Sequence, residues 1–295
     1  TEFQRNTPDI IVVIADRYES LAATIAARYM NIPVAHIQGG ENTGSIDDNI
    51  RHAITKLSNI HLVTNSECAD RIGKMGEHKN SIFTVGCPTL DICREVGNTD
   101  PKSLFDDYEG VQEKKFVLSD DYIIVSFHPV TTEYAENRKH FRTLLEAVDT
   151  LNVQAVWLYP NIDAGNDLIK NELLHFKSHD KKGLIHFFKH FDIEKYLLLL
   201  NHAKCIVGNS SVGIRESSYL GTPSVTIGSR QYGRTRAVNV IDSEISIKAI
   251  TNCIRNQMSH GKYQRSNEYG DGNSGERIAD ILLSCDLTID KHMTY

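Results

Sequence analysis

His36-Ile-Gln-Gly-Gly-Glu-Asn-Thr-Gly44, continued by Ser45-Ile-Asp-Asp-Asn-Ile-Arg-His52, is the stretch on which the fold reading turns. It joins a short apolar run, 33–37, to a segment whose apolar residues Ile46, Ile50, Ala53, Ile54 and Leu57 recur at a helical period. A buried strand that passes through a glycine turn into a helix is the unit from which parallel α/β sheets are wound. Ser45 reads as the N-cap of that helix, with Asp48 as a shortened capping-box partner. Asp47 and Arg51 are i, i+4 neighbours on its polar side. Paired glycines, Gly39 and Gly40, let a backbone approach a ligand closely, and carboxylates held beside them suit proton transfer. A capped helix with solvated charges is the plainer reading of the same residues.

Outward from this junction, strands and helices alternate. Residues 9–15 form a continuous β-branched run, as expected of a strand buried on both faces of a parallel sheet, with Asp16 and Arg17 at its carboxyl end. Further strands are expected at 60–64 and 82–85, with helices at 19–30, 45–58 and 68–75. A polar, weakly periodic segment follows. A second series then runs through strands at 122–126, 155–159, 184–188, 205–208 and 224–227, with helices at 133–150, 166–178, 193–201 and 213–220. Two alternating series imply an α/β protein of two Rossmann-like, doubly wound domains facing a cleft. The expected organisation is a first domain over 1–91, a linker over 92–120 and a second domain over 121–295, the last helix packing back on the first domain.

Composition narrows the partners. At 295 residues and 40% hydrophobic, the chain can bury two cores. Its net charge of -6, with no basic cluster, argues against nucleic acid as a partner. Mean hydropathy is -0.32, and no apolar run approaches the ~18 residues of a membrane span. The six cysteines are scattered without a C-x-x-C pair, which suits reduced thiols in the cytoplasm. The thirteen histidines show no metal-ligand spacing, so no metal is expected. No signal peptide is visible, and because the chain begins at Thr1 a missing natural N-terminus is expected.

Chemistry gathers at strand ends of the second domain. His128-Pro129 follows one strand, and Tyr159-Pro-Asn161-Ile-Asp163-Ala-Gly165 follows the next. A lone loop histidine is more often structural, and Asn or Asp before a helix is as often a cap. Gly208-Asn-Ser210-Ser211-Val-Gly213 leads small hydroxyl residues and glycines into a helix, where exposed N–H groups and the dipole favour an anion such as a diphosphate. Glu216, a turn further, could accept from both hydroxyls of a ribose. Gly228-Ser-Arg230-Gln-Tyr-Gly-Arg234 supplies a basic loop. Individually weak, these features gain force by falling on successive strand ends of one domain.

The blocks HIQGGENTGSIDDNIRHAITKLS (36–58), HPVTT (128–132), YPNIDAG (159–165), GNSSVGIRE (208–216), GTPSVTIGSRQYGR (221–234) and EYGDGNS (268–274), in that order, resemble the hydrolysing UDP-N-acetylglucosamine 2-epimerases. These include the enzymes of bacterial sialic acid synthesis and the epimerase part of the animal epimerase/N-acetylmannosamine kinase; no kinase segment is expected. The resemblance implies the glycosyltransferase-B architecture and a reaction that expels UDP from C1 as a base removes the C2 proton. Water then adds to the resulting glycal with inverted C2, releasing N-acetylmannosamine. Such an elimination needs a placed carboxylate, an acid at the leaving oxygen and cations on the diphosphate.

Carried over by matching motif, Asp16 and Asp47 correspond to catalytic carboxylates, and Glu41, Gln38 and His128 complete the candidate catalytic set. The candidate UDP-binding set is Arg17, His128, Asn161, Asp163, Ser210, Ser211, Gly213, Glu216 and Arg230. No cofactor or metal is implied, since protein cations can neutralise the phosphates. Association as a homodimer or homotetramer is implied by the family.

Two departures bear on this. The third residue of the family's H-I-x-G-G-E block is a glutamate with a catalytic role, whereas here it is Gln38, and an amide cannot serve as a base. The base is then Asp16, Asp47 or Glu41. Also, family members carry several βα units, with an arginine-bearing first loop, before the equivalent of Pro8, so a fragment of a longer protein is expected. The rival readings are the same reaction on a UDP-2,4-diacetamido-trideoxyhexose of legionaminic acid synthesis, a non-hydrolysing epimerase and a glycosyltransferase of the same architecture. A nucleotide-sugar-binding module without turnover is the non-enzymatic alternative.

Overall fold

The computed structural model describes residues 2–44, 46–97, 99–105, 116–159, 172–173, 176, 182–292 and 294. The chain forms two compact units, one of Thr1–Arg94 with Tyr269–Tyr295, the other of Glu95–Glu268.

In the first unit, β1 (Ile11–Ile14), β2 (Val34–Ile37), β3 (Ile60–Val63) and β4 (Ile82–Thr84) lie parallel in sequence order. Between them run α2 (Tyr18–Tyr29), α3 (Ile46–Leu57) and α4 (Ser66–Lys74), after a one-turn α1 (Glu2–Arg5), with α5 (Thr89–Glu95) following. Alternation along the strands feeds two layers, because successive side chains point to opposite faces. Val13 and Val34 pack against Ala27, Ile32 and Ile54 on one face. Ala35, Ile37, Ile60, Leu62 and Val85 meet Ile278, Ile281 and Leu282 on the other. Those last three belong to the C-terminal helix, α10 (Ser274–Ser284), whose docking gives residues 269–295 to the first unit.

In the second unit, β5 (Tyr122–Ser126), β6 (Gln154–Leu158), β7 (Ile185–Phe188), β8 (Cys205–Gly208), β9 (Ser224–Ile227) and β10 (Val240–Ser243) are parallel in the order β10-β9-β8-β5-β6-β7. The chain winds outward from β5 to β7, then returns to β8 on the other side of β5. The order therefore reverses between β5 and β8, the kind of crevice in which open α/β sheets bind ligands. Helices α6 (Asn137–Asp149), α7 (Ile193–His202), α8 (Glu216–Leu220) and α9 (Ile247–His260) accompany the strands. Trp157 is wholly buried, its ring 5.3 Å from that of Phe141 and 5.7 Å from that of Phe187.

Several expectations need correction. The segment 92–120 is not a plain tether, since it carries the end of α5 and a 3-10 turn at Pro101–Phe105. Phe105 and Phe116 are buried with ring centroids 4.5 Å apart, and both rings pack on Phe188, so these two side chains belong to the second unit. The helix expected over 213–220 is shortened to Glu216–Leu220 behind a 3-10 turn at Ser211–Gly213. That expected from 133 begins at Asn137, because the Asn137 amide accepts from Val130 N at 2.8 Å and donates to Val130 O at 2.9 Å, holding the preceding loop out of the helix. Most of the helix expected over 166–178 lies outside the described residues. So does Ser45.

Candidate active site

The carboxyl ends of β1 and β2 converge through a buried arginine. Arg51, only 1% exposed on α3, donates to Asp16 beyond β1 and to Asp48 one turn earlier on its own helix. Its Nη1 also donates to Glu41 O at 2.9 Å. A buried guanidinium needs such partners, since an uncompensated charge there costs several kcal/mol. The i, i+4 spacing pointed to Asp47 as the partner of Arg51; the pairs formed are with Asp48 and, across the sheet, Asp16. Asp48 accepts from Thr43 N at 2.9 Å and Gly44 N at 2.7 Å, and against the opposing effect of burial these hydrogen bonds hold its pKa below the usual carboxylate range. Asp48 thus ties the loop to the helix and is not free for proton transfer.

Exposure separates the other carboxylates. Asp16 keeps a side chain 23% exposed, whereas Glu41 is 3% exposed, with Oε1 3.5 Å from Thr64 Oγ1. Asp47 is half-buried in the first turn of α3. Of Asp16 and Glu41, Asp16 is the carboxylate a ligand can reach.

Two backbone features mark this corner. Ala15 and Gln38, the residues just after β1 and β2, have φ of 59° and 62°. Non-glycine residues seldom adopt this region unless the surroundings impose it, and such sites often serve function. Here the sheet imposes it: Ala15 N donates to Ile37 O at 2.9 Å and Gln38 N to Leu62 O at 3.0 Å. His36 is buried, with Nε2 2.8 Å from Ala15 O and Nδ1 3.2 Å from Thr55 Oγ1. Burial lowers its pKa to about 3, so the ring is neutral and braces the turn. Gln38 Nε2 donates to Cys87 Sγ at 3.2 Å.

The paired glycines serve packing. A Cβ on Gly40 would lie 2.5 Å from Cys68 O, and one on Gly39 would lie 2.9 Å from His36 Nδ1. With φ of 74°, Gly40 also needs its own freedom. Their smallness lets the loop sit under α4.

The second unit presents its polar groups at the switch point. Gly208, with φ of 137°, lets β8 approach β5 so closely that a Cβ would lie 2.0 Å from Ser126 O. That approach places Asn209 against His128. The Asn209 amide accepts from His128 N at 2.7 Å and donates to His128 O at 2.8 Å, lacing the two loops together. Arg230 Nη1 and Gln231 Nε2 both donate to Asn209 O, at 3.1 and 3.0 Å. His128 Nε2 is 3.4 Å from Ser126 Oγ. Burial, and then the charge of Arg230, lowers the His128 pKa to about 3, so it offers a neutral imidazole beside a cation.

Next along the chain, Ser210 Oγ accepts from Val212 N at 3.4 Å, and Arg215 Nη2 donates to Ser211 Oγ at 3.2 Å. Arg215 Nη2 also lies 3.7 Å from Glu216 Oε1. Glu216 is 2% exposed, and its Oε2 has no hydrogen-bond partner among the described residues. A sealed carboxylate oxygen without a donor is rare in native structures and fits a site that receives hydroxyls from a ligand.

The structure thus brings Asp16 and the Glu41 carbonyl to Arg51 in one unit, with Asp47 at the start of the same helix and Gln38 just after β2, on Cys87. It gathers His128, Ser210, Ser211, Gly213, Glu216 and Arg230 at the switch point of the other. Arg17 is exposed and bonded to Glu19 at 3.0 Å. Asn161 and Asp163 lie outside the described residues. Asn209, Arg215 and Gln231 carry the geometry of the second site and were not singled out from sequence, although all three stand inside the quoted motif blocks. Among the described residues no three His, Cys, Asp or Glu side chains converge as a metal site, and no helix is long and apolar enough to cross a membrane.

Parallel Rossmann-type units, one with polar loops converging at its topological switch point, define a nucleotide-binding class of α/β protein. Within that class the family can be stated: the UDP-N-acetylglucosamine 2-epimerase family model matches residues 1–283, and the chain belongs to that family. It is 35% identical over 285 residues to the hydrolysing UDP-N,N'-diacetylbacillosamine 2-epimerase of Legionella pneumophila, covering 97% of this chain and 73% of the relative. It is 36% identical over 278 residues to the UDP-N-acetylglucosamine 2-epimerase of Neisseria meningitidis, covering 93% and 71%. The fold matches that of the Methanocaldococcus jannaschii UDP-GlcNAc 2-epimerase, solved with UDP-GlcNAc and UDP, at a TM-score of 0.79 and 20% identity over 96% of this chain and 78% of that one.

Proposed function

We propose that this protein is a hydrolysing 2-epimerase that converts UDP-N-acetylglucosamine to N-acetylmannosamine and UDP, the opening step of sialic acid synthesis. The observation that carries the reading is the reachable Asp16 carboxylate, oriented by buried Arg51 at a strand end of a family member. Asp16 takes the C2 proton, the C–H electron pair becomes the C1=C2 bond, and the C1–O bond breaks with its pair leaving on UDP. Water then supplies hydroxyl to C1 and hydrogen to C2 from the opposite face, with Asp47 handling that second proton. Asp16, the more exposed carboxylate, does this work in place of Glu41, and Gln38, lacking basicity, positions the amino sugar by hydrogen bonds.

The diphosphate lies against His128, Ser210, Ser211 and Arg230, with Gly213 leaving space beside them, and Glu216 receives ribose hydroxyls. Arg17, Asn161 and Asp163 complete the proposed nucleotide contacts. The charge expelled with UDP is met by Arg230 and by the neutral imidazole N–H of His128. We place the enzyme in the cytoplasm as a homodimer or homotetramer.

A second reading keeps the chemistry and changes the sugar to a UDP-2,4-diacetamido-trideoxyhexose, favoured by the 35% identity to the Legionella pneumophila enzyme named for UDP-N,N'-diacetylbacillosamine. Proton NMR in deuterated water, with each UDP-sugar in turn, tests both. Release of UDP with a free amino sugar deuterated at C2 is the expected result, and the faster substrate names the sugar. A product still joined to UDP would mean a non-hydrolysing epimerase. Loss of turnover in Asp16→Asn and Asp47→Asn is expected; full turnover in both would overturn the carboxylate roles.

A further inference from the structure

EYGDGNS, residues 268–274, has no part in the site described so far. It lies where the chain enters the first unit for the second time, at Tyr269. Tyr269 is buried, and its carbonyl accepts from Cys87 N at 2.8 Å. Gly270, with φ of 120°, faces Gly86, with φ of 94°, backbone to backbone. A Cβ on Gly270 would lie 2.9 Å from Gly86 Cα and 3.3 Å from Cys87 N. Asp91 accepts from Ser274 N at 2.8 Å and Gly275 N at 2.6 Å, capping α10, and Arg94 donates to Asn273. Residues 86–94 and 269–275 are therefore laced into one junction within the first unit.

Cys87 stands in the middle of it. Its side chain is wholly buried, and its sulfur holds Gln38 Nε2. A thiol is a weak acceptor, so the contact works by fixing the amide's direction and contributes little energy of its own. Gln38 itself sits at positive φ, a conformation its surroundings must hold.

We infer that Cys87, set in place by the Gly86–Gly270 contact, is a positioning residue for Gln38, and through it for the amino-sugar end of the substrate; this rests on the functional reading above. A misplacement of about 1 Å at a group that orients substrate can cost about 100-fold in turnover. UDP affinity, carried by the other unit, stays unchanged.

Four variants of the full chain test this. Cys87→Ala should lower kcat about tenfold with the Kd for UDP within about twofold of wild type, and Cys87→Ser should restore most of kcat. Gly270→Ala should lower kcat at least as much, because its Cβ pushes on Gly86 and Cys87. Gly261→Ala, a positive-φ glycine with no heavy atom within 4 Å of its added Cβ, should leave kcat unchanged. If Gly270→Ala does not fold, the Cys87 pair decides. A Cys87→Ala protein that folds, binds UDP and keeps kcat within about twofold of wild type overturns the inference. If wild type turns over neither UDP-sugar, the functional reading fails. The Gln38 side-chain amide resonance, identified by its loss in Gln38→Ala, then decides: a shift in Cys87→Ala upholds the contact, and an unmoved signal refutes it.

Discussion

Glu216 holds one carboxylate oxygen sealed from solvent without a donor among the described residues, while the other lies 3.7 Å from Arg215. Leaving a buried acceptor unmade costs about 1–3 kcal/mol, so the site is set to gain when a ligand hydroxyl arrives. Glu216→Ala is expected to weaken UDP binding about tenfold or more by calorimetry while kcat at saturation changes little, since the ribose is remote from C1 and C2. An unchanged Kd would move the ribose elsewhere. The sequence offered Glu216 directly, because it stands one turn beyond the serines that precede it. Arg51 was harder to read. Its spacing to Asp47 and Asp48 is local, but its bond to Asp16 exists only because β1 and β2 lie side by side.

At the scale of elements, α10 closes one face of the first sheet. Ile278, 9% exposed, packs with Ala35, Ile37, Leu62 and Val85, and Asp91 caps the helix start. Ile278→Ala is expected to destabilise the first unit by about 2–4 kcal/mol, by lost transfer energy and the cavity left behind. Urea unfolding followed by far-UV circular dichroism checks this. A change under about 0.5 kcal/mol would mean that α10 is peripheral to the fold. The strands at 122–126, 205–208 and 224–227 coincide with those read from sequence, since each is a continuous apolar or small run buried on both faces. The helix after β8 is shorter than its periodicity predicts: Ser211–Gly213 close a 3-10 turn in which Ser210 accepts from Val212 N, a local competition that periodicity does not register.

For the whole molecule, buried histidines in both units link stability to pH. His36 and His128 titrate at about 3 when folded, against 6.5 for an ordinary histidine. Below pH 6.5 the unfolded chain binds protons that the folded chain refuses, so stability is full above pH 6.5 and falls as pH drops toward 3. Each histidine contributes about 1.4 kcal/mol per pH unit in that window. Glu77 adds to the loss further down. Burial alone would raise its pKa, but hydrogen bonds from His61, Lys291 and Lys56 hold it at about 2, so its contribution fades from pH 4.5 toward 2. The sole tryptophan, Trp157, reports on the second unit alone. His128→Gln is expected to flatten the pH dependence of the urea midpoint seen by its fluorescence between pH 6.5 and 5. An unchanged slope would mean that His128 is not buried neutral.

The sequence by itself determined the alternation of strand and helix, the parallel α/β class, the family and the residue types of both loops. These follow from periodicity and from contiguous motifs, which are properties of neighbours along the chain. Only the tertiary structure decided that Arg51 serves Asp16 and Asp48, that Glu41 is enclosed while Asp16 is reachable, and that Asn209 laces His128. It also fixed which face of the first sheet α10 covers, that of Ala35, Ile37, Leu62 and Val85, where the sequence had pointed only to the first domain. Such facts depend on which strands become neighbours and which faces they bury. Strand order and burial are settled by the packing of the whole chain, and no local spacing encodes them.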